Sequence, residues 1–177
     1  MAAIVSRFAP APHHPLRTMP LQPIDGACHC GQVRFTALID PARVMVCHCT
    51  DCQVMSGAPF RAVVAAQPEG MAAQGETRQY IKVAASGRRR AQVFCSTCAT
   101  PLWATDPDAP GPRIIRLGCV RQRAALAPAV QIWQQSALPW VAGLAQVPGS
   151  ADQSAFLPAQ ALPSGAAAPA LCEGGAP

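Results

Sequence analysis

Apolar and polar side chains alternate with a period of two through the middle of the chain. Val33, Phe35, Ala37 and Ile39 interleave with Gln32, Arg34, Thr36 and Leu38, the pattern of a half-buried strand. Ala91, Val93 and Cys95 interleave with Arg90, Gln92 and Phe94 in the same way. The runs Arg113-Ile114-Ile115-Arg116-Leu117 and Val130-Gln131-Ile132-Trp133 read as two further strands. Pro41, Gly57, Pro59, Pro68, Gly70, Gly87, Pro101, Pro107 and Gly111 punctuate these segments. Residues 50–56 fit a short helical turn. Short strands joined by Gly/Pro turns predict a mostly β fold of antiparallel strands.

Composition then divides the chain into three parts. Residues 1–23 are broken by proline and predict a flexible lead-in. Residues 24–146 hold eight of the nine cysteines and nearly all the aromatic residues, and form the predicted folded domain. Residues 147–177, rich in Pro and Ala, predict a disordered tail in which Phe156 and Leu157 are the groups able to dock. The chain is 50% apolar but only 5% aromatic, so much of its hydrophobicity is alanine. A core built from such residues is thin, and bound metal is an expected supplement. The described pattern contains no uninterrupted apolar run of the roughly 18–20 residues that a membrane helix needs. Residues 1–23 also lack the apolar centre of a secretory signal.

Nine cysteines suit either disulfides or metal, and their spacing separates the two. Three blocks stand out: Cys28-His29-Cys30-Gly31, Cys47-His48-Cys49-Thr50-Asp51-Cys52 and Cys95-Ser96-Thr97-Cys98. Pairs separated by a single residue bridge poorly, whereas tight Cys clusters suit thiolate ligation in a reducing, cytoplasmic setting. A tetrahedral zinc with Zn–S near ~2.3 Å holds its sulfurs about 3.8 Å apart. Side chains at i and i+2 of a strand stand about 6–7 Å apart, so a Cys-x-Cys pair on one metal needs a tight turn. Gly31 supplies the backbone freedom for it.

Joining Cys28 and Cys30 with Cys95 and Cys98 closes a four-sulfur site from two distant pairs, the logic of a structural zinc. Cys47, Cys49 and Cys52 then remain as a local trio, and three protein ligands beside a vacant position characterise a catalytic zinc. Such clusters in a small β domain are also commonly structural; in that reading His48 or His29 completes a closed second site. Each histidine sits between two cysteines, where its ring tends to point away from the metal. The formal charge of +5 hints at anionic partners. Seven protons lost from thiols and four charges gained from two Zn²⁺ would lower it to +2, which weakens that hint.

The motifs Cys-His-Cys-Gly-x-Val-x-Phe, Cys-x-Cys-Thr-Asp-Cys-Gln-x-x-Ser-Gly-Ala and Phe-Cys-x-x-Cys-x-Thr-Pro-Leu resemble the glutathione-dependent formaldehyde-activating enzyme family, which includes centromere protein V. Ile132-Trp133, Ser136 and Pro139-Trp140 are similar to that family's C-terminal signature, so the resemblance covers roughly residues 24–141. It implies a β-tent-like fold with a structural zinc on Cys28, Cys30, Cys95 and Cys98. It also implies a second zinc on Cys47, Cys49 and Cys52, where a thiol substrate binds. Two residues depart from the pattern: Ala99 stands where Gly is usual, and Gln131 where His commonly precedes Ile-Trp.

An open three-thiolate zinc carries net charge −1 and is a modest Lewis acid, better matched to a soft fourth thiol than to water activation. The expected chemistry is therefore carbon–sulfur lyase chemistry on an adduct of a small thiol, such as glutathione, with a small aldehyde, such as S-hydroxymethylglutathione. Cys47, Cys49 and Cys52 are its candidate catalytic residues. Gln53 and Ser56 are candidates to line the vacant position or to cap a turn. Arg61, and Arg88-Arg89-Arg90, are candidates to hold substrate carboxylates or to sit in solvent. Trp103, Trp133 and Trp140 read as core or pocket wall, Cys119 as a small buried hydrophobe and Cys172 as a tail thiol. The alternative class is a non-catalytic zinc-stabilised module that binds nucleic acid or protein through the arginine triplet. The absence of a long basic tail and of interleaved aromatic and basic residues argues against nucleic acid. A redox or zinc-storage role for the trio is the third reading.

Overall fold

The alternating segments become strands because each buries one file of side chains and leaves the other wet. The computed structural model describes residues 19–84, 87–109 and 111–152. Along the chain come β1 (Gln22–Ala27), β2 (Arg34–Ile39), β3 (Met45–Cys47), the helix α1 (Thr50–Ser56), β4 (Arg61–Gln74), β5 (Thr77–Val83), β6 (Arg89–Cys95), β7 (Pro101–Thr105), β8 (Ile114–Arg116) and β9 (Val130–Ile132). A string of 3-10 turns follows, ending in Pro139–Gln146. In β2 the buried file is Phe35, Ala37 and Ile39; in β6 it is Ala91, Val93 and Cys95. The fold is mostly β and its ladders are antiparallel except for β3 with β9, as the residue pattern predicts.

The sheet runs β1-β2-β4-β8-β7-β6-β5, with β3 on β4 and β9 on β3. β4 serves two ladders. Its first half pairs with β3 on one side and β8 on the other, and its second half pairs with β2. Pairing jumps from Ile39↔Ala66 to Ala37↔Met71, which leaves residues 67–70 as a bulge. Pro68 and Gly70, expected to break the chain between strands, lie in that bulge instead. A proline is tolerated there because no ladder hydrogen bond is required of it.

Ile39, Val64, Leu102, Ile115 and Val120 are fully buried, and Phe35 meets Trp103 edge-on with ring centroids 6.1 Å apart. Trp103 thus belongs to the core. Trp133 and Trp140 are 55% and 54% exposed, so neither is a core residue. No described helix is long and apolar enough to cross a membrane. Residues 1–18 of the expected lead-in, residues 153–177 of the expected tail, and with them Phe156, Leu157 and Cys172, lie outside the described residues; β1 begins inside the expected lead-in, at Gln22.

Gly75 links β4 to β5 at φ +98°, and a Cβ there would stand 2.1 Å from the carbonyl oxygen of Gln32. Gly87 has a similar φ of +77° but open space around it. We expect Gly75→Ala to cost at least about 2 kcal/mol, and Gly87→Ala only ~1 kcal/mol, in urea denaturation. Equal losses would show that φ alone, and not the approach of Gln32, constrains Gly75.

Candidate metal centre

Two hairpin ends form the first cysteine cluster. After β1 the chain turns through Cys28–Gly31, with Gly31 at φ +76° and its N–H donating to the Cys28 carbonyl at 3.0 Å. That is the tight turn required of a Cys-x-Cys pair. The Val33 N–H donates to Cys28 Sγ at 3.2 Å. Between β6 and β7 the chain turns through Cys95–Ala99, where the Ala99 N–H donates to the Cys95 carbonyl at 3.1 Å. Thr100 joins the two turns: its Oγ1 accepts from the His29 N–H at 3.1 Å and lies 3.0 Å from Cys98 Sγ. Thr97 Oγ1 adds a second tie by donating to Gln32 Oε1 at 2.6 Å.

Cys28 Sγ lies 3.5 Å from Cys30 Sγ, which lies 3.8 Å from Cys95 Sγ, and all four sulfurs fall within 4.8 Å of one another. These separations match the edges of a zinc–thiolate tetrahedron. The hydrogen bond from Thr100 is the main influence lowering the Cys98 thiol to about 5.

The second cluster is local. Cys47 ends β3, Cys49 caps α1 and Cys52 lies in its first turn. Cys49 Sγ accepts from the Cys52 N–H at 3.4 Å, so the helix start itself sets the spacing. Cys47 and Cys49 Sγ are 3.5 Å apart, and the three sulfurs lie within 4.8 Å of one another. A hydrogen bond from Cys52, joined by those from Cys49, lowers Cys47 to about 5, and the same bond pushes Cys52 well above the ordinary thiol range. Among the described residues no fourth His, Cys, Asp or Glu joins this trio. His48 is buried: its Nε2–H donates to Gln131 Oε1 at 2.8 Å, its ring packs edge-on against Phe60, and its Nδ1 is sealed with no hydrogen-bond partner among the described residues. Gln131, the departure from the family pattern, is thus the group that fixes this imidazole.

The donor sets fit zinc in both places: soft thiolates, tetrahedral spacing, and N–H groups aimed at sulfur. All eight described cysteines are free of disulfides. Cys119 is partly buried and donates to the Pro101 carbonyl at 3.0 Å; burial raises its thiol to about 11. A cavity of about 600 Å³ is lined by Gly26, Phe35, Ala73, Cys119 and Arg123 and by none of the seven clustered cysteines.

The remaining candidates separate clearly. Gln53 donates both amide hydrogens to carbonyls, of His48 at 2.7 Å and Ser136 at 2.8 Å, and so clamps α1 to the C-terminal turns. Ser56 is exposed and donates to the Cys52 carbonyl at 2.5 Å. The triplet Arg88–Arg90 lies at the β5–β6 hairpin end, with Arg89 paired to Asp108. Arg61 is buried, only 7% exposed, directly opposite Cys47 in the β3–β4 ladder. It has a neighbour that the sequence reading passed over as an ordinary strand residue. Arg116, 8% exposed, sits opposite Val63, two positions along from Arg61 and hence on the same face. Burial, and then the charge of Arg61, lower Arg116 to about 10, while Cys52 and Cys47 oppose that shift.

A mostly β protein with one four-cysteine cluster across two hairpins and one three-cysteine cluster at a helix start is the class that this geometry defines. Residues 23–136 match the family described as glutathione-dependent formaldehyde-activating enzyme, and the chain belongs to that family. A Schizosaccharomyces pombe protein named as an uncharacterized lyase is 27% identical over 79 residues, which span 45% of this chain and 55% of that protein. A Halomonas elongata protein named "Putative glutathione-dependent formaldehyde-activating enzyme" is 30% identical over 107 residues, 49% of this chain and 59% of its own length. The chain spans just over half the length of these curated relatives. A crystal structure of a Rhodobacter sphaeroides protein aligns at TM-score 0.47 and 16% identity, covering 60% of this chain and 98% of that one.

Ala99 keeps the turn after Cys98 at φ +57°, a left-handed conformation that an L side chain strains. Ala99→Gly should stabilise the protein by about 0.5–1 kcal/mol in chemical denaturation, the relief of strain exceeding the entropy of the new glycine. Destabilisation would mean that the alanine methyl is a packing group of the turn.

Proposed function

We propose that this chain is a zinc-dependent carbon–sulfur lyase that forms and cleaves the adduct of a small thiol, such as glutathione, with a small aldehyde, such as formaldehyde. The observation that carries the reading is the trio of Cys47, Cys49 and Cys52, whose sulfurs converge without a fourth protein ligand among the described residues. Family membership and the lyase name of one relative support the same chemistry. Cys28, Cys30, Cys95 and Cys98 hold a structural zinc, and the trio holds the second. When bound at the trio, zinc supplies a soft acceptor for the substrate sulfur and favours its thiolate.

The chain's own residues do the rest. Gln53 fixes α1, and with it Cys49 and Cys52, against the turn at Ser136. Gln131 fixes the His48 ring, the residue between Cys47 and Cys49, through its Nε2. The reaction balances without another reactant: the S–H bond and the carbonyl π bond give way to a C–S bond and an O–H bond, so the sulfur proton ends on the former carbonyl oxygen. Addition of thiols to formaldehyde is facile, and the contribution of the site is positioning and thiolate generation. A reducing compartment such as the cytoplasm keeps the seven thiols available.

Metal analysis of the purified chain is expected to give two zinc ions. Cys49→Ser should lower this to one with the far-ultraviolet spectrum retained, whereas Cys95→Ser should lose cooperative unfolding. Equal damage from both variants would make the trio structural. Exchange NMR between glutathione, formaldehyde and their adduct should show acceleration proportional to wild-type protein and about 100-fold less with Cys52→Ser. Acceleration that survives the substitution would remove the trio from the chemistry.

A further inference from the structure

The cavity of about 600 Å³ lies where β1, β2 and the second half of β4 meet the 3-10 turns that follow β8. Its size falls within the range of small-molecule sites, about 300–1,000 Å³. Its strand wall is built small, from Ala27 of β1 and Ala72 and Ala73 of β4. Alanine is a poor strand former, and Ala72 and Ala73 are exposed, so burial against a neighbouring element does not account for them. Their methyl groups leave the volume open and make part of its surface apolar.

Cations supply the rest of the wall. Arg121 is matched by Asp25 at 2.6 Å. Arg34 and Arg123 form no ion pair among the described residues; each is oriented by a backbone carbonyl instead. Arg34 Nε donates to Gly31 and Arg123 Nη1 to Val120, both at 3.2 Å. Both side chains are exposed, and the donors left over are open to a ligand. Three guanidiniums against one carboxylate leave two positive charges, and no thiolate of either cluster lines the cavity to neutralise them. Cys119 also lines it, but its thiol donates to the Pro101 carbonyl at 3.0 Å. The wall therefore offers binding groups in place of a free nucleophile.

We propose that this cavity is a second ligand site, for an organic phosphate monoester whose phosphate meets Arg34 and Arg123 and whose apolar body lies on the alanine wall. A phosphate monoester carries about −1.5 to −2 charges at pH 7, which balances the two cations, whereas a carboxylate balances one. Guanidinium forks match phosphate oxygens in bidentate pairs. The alanines add the contact that inorganic phosphate cannot use. The site shares no residue with the trio, so it stands whether or not the trio carries the proposed chemistry.

Calorimetric titration of the zinc-loaded full chain with 1-naphthyl phosphate should show one binding event per chain. 1-Naphthoate, which lacks the second charge, and inorganic phosphate, which lacks the apolar body, should each bind at least about 10-fold more weakly. Arg34→Gln and Arg123→Gln should each weaken the ester about 10-fold while metal content and cooperative unfolding are retained. Ala72→Leu, which fills the cavity from an exposed position, should weaken it by a similar factor. If Arg34→Gln fails to fold because the turn at Gly31 loses its bond, Arg123→Gln and Ala72→Leu decide the matter. Absence of binding, equal affinity for 1-naphthoate or inorganic phosphate, or indifference to the substitutions overturns the site. Cys49→Ser should leave ester binding within about twofold; its loss would place the ester at the trio and overturn the proposal as well.

Discussion

Sulfur atoms that share one tetrahedral ion must sit about 3.8 Å apart, and the chain meets that demand by bringing two hairpin ends together. One end carries Cys28 and Cys30 between β1 and β2, and the other carries Cys95 and Cys98 between β6 and β7. These strands stand well apart in the sheet order, with β4 and β8 between them. Thr100 and the Thr97–Gln32 bond hold the ends in register through hydrogen bonds alone. With few large side chains available for the core, this junction substitutes for hydrophobic mass.

The two clusters differ in what surrounds them. The four-cysteine set is assembled from distant segments and is complete. The three-cysteine set comes from one short stretch, is fixed by the start of α1, and has two cations on the sheet face beside it. Gln131 and Gln53 act on the frame of the site: one fixes the imidazole of His48, the other pins the helix. The contrast between a four-sulfur cluster and a three-sulfur one links the fold to the proposed chemistry.

Much of this could be read from the residues because cysteine spacing is a geometric statement. The grouping of seven cysteines, the turn at Gly31, the helical stretch at 50–56 and the alternation of β2 and β6 all emerge in the structure as the pattern predicts. β4 was obscured because its first half is Ala- and Val-rich without clear alternation, and because Pro68 and Gly70 imitate a break that a bulge absorbs. Arg116 was obscured for a different reason. A charged residue at the end of Arg-Ile-Ile-Arg reads as solvent-facing, and only the placement of β8 between β4 and β7 reveals that it is buried. Trp133 and Trp140 show the converse, being large and apolar yet exposed. Pattern captures what one strand does with its own faces, and it is silent about which other elements cover them.

The account turns on one set of sulfurs being complete and the other being open to an incoming thiol. Cadmium-113 NMR of the cadmium-substituted chain examines both in one spectrum. The account predicts two resonances, of which one is unmoved by added thiol and the other shifts toward the first as a fourth sulfur joins it. Two resonances that both ignore the thiol would contradict it.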